Sequence, residues 1–335
     1  MNESLVTLRN VTKVYTDKKR RQVKAVDGIS LDIYRGETLG LVGESGCGKS
    51  TTGNLLVHLL TATSGSILFE GQDITHMSER RFGAFRSSIQ MVFQDPYASI
   101  NPQKKIGWLL EEPLVIHHRE MGKEERQHMV NRMLQVVGLD ESYKDRYPGQ
   151  LSGGQRQRVS IALALILNPS FVVADEPVSA LDVSVQAQIL NLMKRLQKEY
   201  GLTYLFISHD LNVVSYMSDR IGVMYLGSIV EIGSQEEITW HARHPYTQAL
   251  FSASAREDGE KRERIVLKGD VPSPSNPPSG CPFHTRCPYC TDKCRQEKPQ
   301  LQEISKGWMA ACHYCGEQKQ GETAALAYDG EGIAI

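Results

Sequence analysis

The sequence predicts an α/β protein with a mainly parallel sheet. An antiparallel β portion precedes the sheet, a helical insert sits in the middle, and a small cysteine-rich extension follows. Three observations carry this. Phe171–Asp175 and Thr203–Ile207 are short, continuously apolar runs of the kind that fill strands buried on both faces. Between them, residues 185–200 have helical spacing, with Val185, Ile189, Leu192, Leu196 and Tyr200 on one face. Strands alternating with helices imply a parallel sheet. Six of the seven cysteines fall between Cys281 and Cys315.

In chain order, residues 5–11 alternate in the β manner, and 23–25 and 29–33 follow as strands separated by turn residues such as Asp27-Gly28. Residues 37–42 read as a buried strand and 50–60 as the helix after it. Residues 66–70 form a strand ended by Gly71, and 89–93 form another ended by Gln94-Asp95-Pro96. From about residue 97 the character changes. Residues 106–114 and 124–137 have helical spacing, Met129, Met133 and Val136-Val137 recurring at three or four. The polar stretch 140–149 holds Pro148 and reads as a loop, and 155–167 is helical again. Residues 256–269 are charged and loop-like, and Pro272, Pro274, Pro277 and Pro278 mark an extended linker. The expected division is a main domain over 1–255 with its helical insert at about 97–165, an extension over 256–316 and a frayed tail over 317–335.

A chain of 335 residues, 40% hydrophobic and 23% charged, is ordinary globular material. A net charge of −1 leaves no broad electrostatic footprint for nucleic acid. The basic run Lys18-Lys19-Arg20-Arg21 reads as a solvated hairpin tip. The N-terminus lacks the basic start and apolar core of a signal peptide. The longest apolar run, residues 161–167, is far short of the about 20 residues needed to cross a bilayer. The chain is therefore expected in the cytosol, with any membrane role peripheral.

Residues 43–50, Gly-Glu-Ser-Gly-Cys-Gly-Lys-Ser, fit the phosphate-binding pattern G-x-x-x-x-G-K-[ST] between a strand and a helix. Gly43, Gly46 and Gly48 let successive backbone N–H groups turn onto a phosphate, and the helix start adds partial positive charge. Lys49 then reaches the β- and γ-phosphates, and the Ser50 hydroxyl is placed to ligate Mg²⁺. At the end of a buried strand, Asp175 can hold the same Mg²⁺. Glu176, one residue on, can orient or deprotonate the attacking water. Ser152, Gly153 and Gly154 open a helix and make a second anion site by the same physics. A second site is redundant for one γ-phosphate unless it serves a neighbouring molecule.

Residues 151–155, Leu-Ser-Gly-Gly-Gln, resemble the signature motif of ATP-binding cassette ATPases, and the matching set is nearly complete and in order over about residues 5–247. Residues 43–50 and 171–176 resemble the Walker A and B motifs of that family, Gln94 its Q-loop glutamine, and Ser179-Ala180-Leu181-Asp182 its D-loop. His209 resembles the switch histidine and Tyr15 the aromatic that stacks on adenine. The resemblance implies an antiparallel β subdomain on a RecA-like parallel-sheet core with a helical insert. It implies ATP and Mg²⁺ as cofactors, with Mg²⁺ held by Ser50, Gln94 and Asp175. Lys49, Gln94, Glu176 and His209 would be catalytic. Tyr15, Gly43, Ser45, Gly46, Cys47, Gly48, Lys49, Ser50, Thr51, Gln94 and Asp175 would contact nucleotide, and Ser152, Gly153, Gly154, Gln155 and Asp182 would complete a site across a head-to-tail pair.

Residues 93–102, 175–184, 272–281 and His244-Pro245-Tyr246-Thr247 are similar to the peptide-uptake branch, the ATPase subunits of bacterial dipeptide and oligopeptide importers, and 272–281 most resembles the second (F-type) of their two unlike ATPases. The implied partners are a sister ATPase, two transmembrane permease subunits and an extracytoplasmic substrate-binding protein, with the chain held peripherally on the cytoplasmic face of the inner membrane. Import of nickel or another small solute is the alternative within the branch, and a soluble non-transport relative the alternative outside it. Residues 94–114, with Tyr97 and Trp108, are the candidate surface for the permease.

For the cysteines, spacing alone favours zinc, because Cys287-x₂-Cys290 and Cys312-x₂-Cys315 look like two knuckles of a ribbon. The resemblance instead makes Cys281, Cys287, Cys294 and Cys312 the ligands of a [4Fe–4S] cluster and leaves Cys290 and Cys315 spare. Four thiolates suit either metal.

Overall fold

The computed structural model describes residues 3–16, 22–252 and 264–315; the basic run at 18–21, the charged stretch 256–263 and the tail 317–335 lie outside them. The chain begins with a long hairpin, β1 (Ser4–Thr16) and β2 (Gln22–Tyr34), followed by β3 (Thr38–Val42), α1 (Lys49–Leu56), β4 (Ser64–Phe69) and β5 (Gln72–Asp73). Next come α2 (Glu79–Phe82), β6 (Ile89–Val92), α3 (Pro96–Ser99), α4 (Ile106–His117), α5 (Lys123–Val136) and α6 (Gly153–Leu165). The order β7 (Phe171–Asp175), α7 (Val183–Tyr200), β8 (Thr203–Ile207), α8 (Leu211–Met217), β9 (Arg220–Tyr225) and β10 (Ser228–Ser234) completes the core. It is followed by α9 (Gln235–Trp240), α10 (Pro245–Ser252), α11 (Asp292–Gln296) and the hairpin β11 (Gln302–Ser305) and β12 (Trp308–Ala310).

Two sheets result. The first is antiparallel, in the order β2-β1-β4-β5. The second runs β11-β12-β10-β9-β3-β8-β7-β6; the five strands from β9 to β6 are parallel, and β10, β12 and β11 add antiparallel strands at one edge. The parallel strands are apolar throughout because both faces are covered. Alternate residues serve the two sides. Val172 and Ala174 of β7, with Tyr204 and Phe206 of β8, join the core under the helical insert and the extension. Phe171 and Val173, with Leu205 and Ile207, join the core under α1 and the antiparallel sheet.

Three expectations need correction. Asp27-Gly28 does not separate two strands: β2 is continuous, and the hairpin absorbs the irregularity as register shifts near Val11 and Lys13, with Gly28 at φ 72°. The first helix stops at Leu56 rather than residue 60, because His58 turns left-handed at φ 58° and the amides of Leu59 and Leu60 both return to Asn54 O. The stretch 140–149 is not wholly irregular, holding the 3₁₀ turns Glu141–Asp145 and Pro148–Gln150.

The extension is built onto the core. Ala310 pairs with Glu231 and Met309 with Ile232, while Trp308 Nε1 donates to Glu231 Oε1 at 2.9 Å. A second tether joins Lys298 Nζ to Asp27 Oδ2 at 2.6 Å. Burial pushes the Asp27 carboxyl up, but Lys298 and Lys24 outweigh it and hold the group below its ordinary value.

Candidate active site

The phosphate loop leaves the C-terminal end of β3, where parallel strands deposit their loops. Gly48 caps α1 at φ 106°, and a Cβ there would lie 2.1 Å from Ala25 O, so only glycine closes this turn. Lys49 is buried and folded back on its own loop: Nζ donates to Gly43 O at 2.7 Å and to Glu44 O at 3.1 Å. Cys47 is also buried, its sulfur 3.7 Å from Lys49 Nζ, and burial pushes its thiol up.

Ser50 Oγ donates to Asp175 Oδ1 at 3.0 Å, joining the start of α1 to the end of β7. Burial pushes the Asp175 carboxyl up and nearby Glu176 reinforces this, while the Ser50 hydroxyl and Lys49 oppose it. A buried carboxylate beside a hydroxyl, at the foot of a phosphate cradle, is a donor set of hard oxygens suited to Mg²⁺. Glu176 stands at φ 46°, a left-handed conformation that is costly for a residue with a side chain and concentrates at functional sites. Its amide donates to Ile207 O at 2.9 Å, which holds that conformation. Its carboxylate bridges two elements: Oε2 accepts from Gln94 Nε2 at 3.0 Å, and Oε1 lies 3.2 Å from His209 Nδ1.

A single cavity of about 490 Å³ is lined by most of these groups; Asp175 is not in the lining and adjoins it through Ser50. Ser45, Gly46, Gly48, Lys49, Ser50 and Thr51 line one side, Gln94, Glu176 and His209 the other, and Ala25 of β2 adds a contact that no sequence signal marked.

The remaining sequence-selected residues lie elsewhere. Tyr15, 40% exposed near the end of β1, is outside the lining. Ser152 and Gln155 cap α6 reciprocally: Gln155 N donates to Ser152 Oγ at 3.3 Å, and Ser152 N to Gln155 Oε1 at 3.0 Å. Ser152 and Gly153 are exposed, and a Cβ on Gly154 would sit 2.6 Å from Val185 Cγ1, so α6 starts pressed against α7. Asp182 is exposed at the start of α7. Two helix starts suited to anions are therefore present, and only one serves this cavity.

Cys281, Cys287, Cys294 and Cys312 line a separate cavity of about 50 Å³, which Cys290 and Cys315 do not. Among the described residues, no three His, Cys, Asp or Glu side chains converge closely enough to hold a single metal ion. Burial pushes the Cys281 and Cys287 thiols up to about 11. A hydrogen bond between Cys312 and Cys315 pulls Cys312 down and pushes Cys315 up.

One contact between the two regions has no sequence signal. Arg286, next to Cys287, grips the Glu44 carboxylate of the phosphate loop: Nη1 lies 3.1 and 2.9 Å from its two oxygens and Nη2 3.1 Å from Oε1. The Glu44 amide donates to Tyr246 Oη at 3.0 Å.

Comparison with known proteins agrees with this geometry. The family model described as ABC transporter matches residues 26–179, and the one described as oligopeptide/dipeptide transporter, C-terminal region, matches 230–294. The chain is 51% identical over 321 residues to the oligopeptide transport ATP-binding protein AppF of Bacillus subtilis, covering 93% of this chain and 97% of that one. It is 49% identical over 318 residues to the dipeptide transport ATP-binding protein DppF of Escherichia coli, covering 93% and 95%. Among solved structures it is similar to the dimeric post-hydrolysis state of the ATP-binding cassette MJ0796 bound to ADP and Pi, with a TM-score of 0.63 and 33% identity over 69% of this chain and 98% of that one.

Proposed function

The chain belongs to the ABC transporter family, and from that premise we propose that it is the ATP-binding and hydrolysing subunit of an importer of dipeptides or oligopeptides. The observation that carries this is the convergence of Ser50, backed by Asp175, and of Gln94, Glu176 and His209 on one cavity at the phosphate loop. Mg²⁺ bound there would supply charge neutralisation at the phosphates. Ser50, Gln94 and Asp175 would hold it. Lys49 leaves the Gly43 and Glu44 carbonyls to meet the β- and γ-phosphates. Glu176, fixed between Gln94 and His209, orients and deprotonates the attacking water.

The exposed helix start at Ser152, Gly153 and Gly154, with Gln155 and Asp182 beside it, completes the site of a sister ATPase rather than its own. MJ0796, a cassette of the same fold, is dimeric. ATP binding closes the pair, and hydrolysis opens it. The permease subunits dock where α4 meets the core. A groove of about 280 Å³ there includes Leu59, Phe93 and Ile116, and Leu59 and Ile116 are 53% and 55% exposed. Trp108 and Tyr97 are exposed on the neighbouring α4 and α3. No helix among the described residues is long and apolar enough to cross a membrane. The chain would therefore be held at the cytoplasmic face of the inner membrane through these partners, with an extracytoplasmic binding protein delivering the peptide.

The four cysteines lining one small apolar cavity support a [4Fe–4S] cluster on Cys281, Cys287, Cys294 and Cys312. A lone zinc needs four sulfurs within about 2.3 Å of one point, and no such convergence is present among the described residues. The four cysteines of the cavity, with Cys290 and Cys315 outside it, are the set that the resemblance assigns to a cluster. Anaerobic purification should return iron and acid-labile sulfide; stoichiometric zinc without iron would replace that assignment. For the main reading, the test is ATP hydrolysis in proteoliposomes holding both ATPases and both permeases. Peptide-loaded binding protein should stimulate it; hydrolysis indifferent to the permeases would count against transport.

A further inference from the structure

We propose that Arg286 is a positioning residue for the phosphate loop, and that its grip on Glu44 couples the cysteine segment to nucleotide binding. The inference rests on the reading of residues 43–50 as the ATP cradle. Glu44 is held at two points, its carboxylate by both Nη atoms of Arg286 and its amide by the Tyr246 hydroxyl. The Arg286 side chain is only 8% exposed and that of Glu44 29%, so this forked ion pair is partly shielded from water and its charge-assisted hydrogen bonds are geometrically fixed. The Glu44 carbonyl is one of the two oxygens on which Lys49 rests. Moving Glu44 therefore moves the seat of the lysine that must meet the phosphates.

On the other side, Arg286 belongs to a tightly wound turn between two of the cavity-lining cysteines. Its amide donates to Phe283 O at 3.0 Å, the His284 amide to Cys281 O at 3.1 Å, and the Cys290 amide to Cys287 O at 3.3 Å. Phe283 is buried against Tyr225 and Tyr246, at ring distances of 5.3 and 5.4 Å. The turn, the aromatic cluster and the phosphate loop thus form one packed unit. A change in the spacing of Cys281 and Cys287 reaches Glu44 through Arg286. By linkage, nucleotide at the loop must bias the turn to the same extent.

The test uses the full chain assembled with its sister ATPase, as wild type and as five variants. Arg286→Gln and Glu44→Gln should each raise KM for ATP by about fivefold or more, the low end of typical coupling, with kcat changed by less than about twofold. The double variant should be no worse than the poorer single one, because the two side chains act as a pair. Arg286→Lys keeps the charge but loses the fork and should recover only part of the affinity. Arg295→Gln, the same charge change on an exposed neighbour in the extension, should leave KM alone. Hydrogen exchange supplies the reciprocal reading: a non-hydrolysable ATP analogue should slow exchange in residues 281–294 of the wild type and not in Glu44→Gln. An unchanged KM in both single variants, additive effects, or protection of 281–294 that survives Glu44→Gln would each overturn the inference. If Arg286→Gln fails to fold, Glu44→Gln alone carries the test, since Glu44 is 29% exposed and its amide stays bound to Tyr246. A wild-type chain that bound no nucleotide would overturn the ATP reading, and this inference with it.

Discussion

Replacing Glu176 by glutamine separates binding from chemistry with least disturbance. The carboxylate accepts from Gln94 Nε2 at 3.0 Å and faces His209 Nδ1 at 3.2 Å. With Gln94 Nε2 still donating, the new side chain turns its oxygen to Gln94 and its NH₂ to His209, whose ring then presents an unprotonated Nδ1 in place of the N–H that the carboxylate accepts. Both contacts survive and the left-handed backbone at φ 46° is undisturbed. What disappears is the charge and the ability to take a proton from water. General-base catalysis contributes about 10²–10⁴-fold, so kcat should fall by that factor, about 3–5 kcal/mol in barrier. Lys49, Ser50 and Asp175 are untouched, so ATP affinity should hold. Single-turnover hydrolysis and retained-nucleotide assays on the assembled ATPase pair measure both quantities. A kcat within tenfold of wild type, or affinity lost along with turnover, would refute the role given to Glu176.

Other consequences are as direct. Gly48→Ala places a methyl 2.1 Å from Ala25 O at φ 106° and should abolish nucleotide binding or stable folding, read by equilibrium ATP binding and thermal unfolding. Ser152→Ala loses a helix cap worth about 1 kcal/mol. It should leave ATP binding to the single chain intact while hydrolysis by the assembled pair falls; unaltered hydrolysis would mean the exposed helix start serves no partner. His244 is buried, burial pushes its ring down to about 3, and its Nδ1 accepts the Tyr246 amide at 3.1 Å. Because the folded value lies below the ordinary 6.5, the ring's contribution is fully present above pH 6.5 and declines as pH falls. The stability difference between wild type and His244→Gln should therefore shift against the wild type by about 1.4 kcal/mol per pH unit below 6.5, measured by urea unfolding. Glu231, whose carboxyl burial pushes up, has the opposite pH trend, but it is common to both chains and cancels in the difference.

Where local pattern and tertiary role coincide, the sequence is readable. β7 and β8 are recognisable residue for residue because burial on both faces demands unbroken apolar runs. The loop at Gly43–Ser50 is recognisable because its backbone path tolerates few residue types. The later strands are less legible. β9 and β10 follow each other through a tight turn at Leu226 and Gly227, and β11 and β12 are four and three residues long, too short for any period to show. Their pairing with the core edge is tertiary information. The same holds for Arg286: an arginine between cysteines carries no mark of a partner 242 positions away. Tyr246 was visible as part of a motif, but its contact with Glu44 was not. The second anion site at Ser152 could be read as redundant for one phosphate, and its exposed position gives that redundancy a physical setting.

Uptake of labelled dipeptides and oligopeptides measures most directly whether closing of the ATPase pair drives peptide import. Cells lacking the chain should lose uptake, wild type should restore it, and Lys49→Ala, which removes the ammonium now resting on Gly43 O, should not. Undiminished uptake without the chain, or full restoration by Lys49→Ala, would contradict the account.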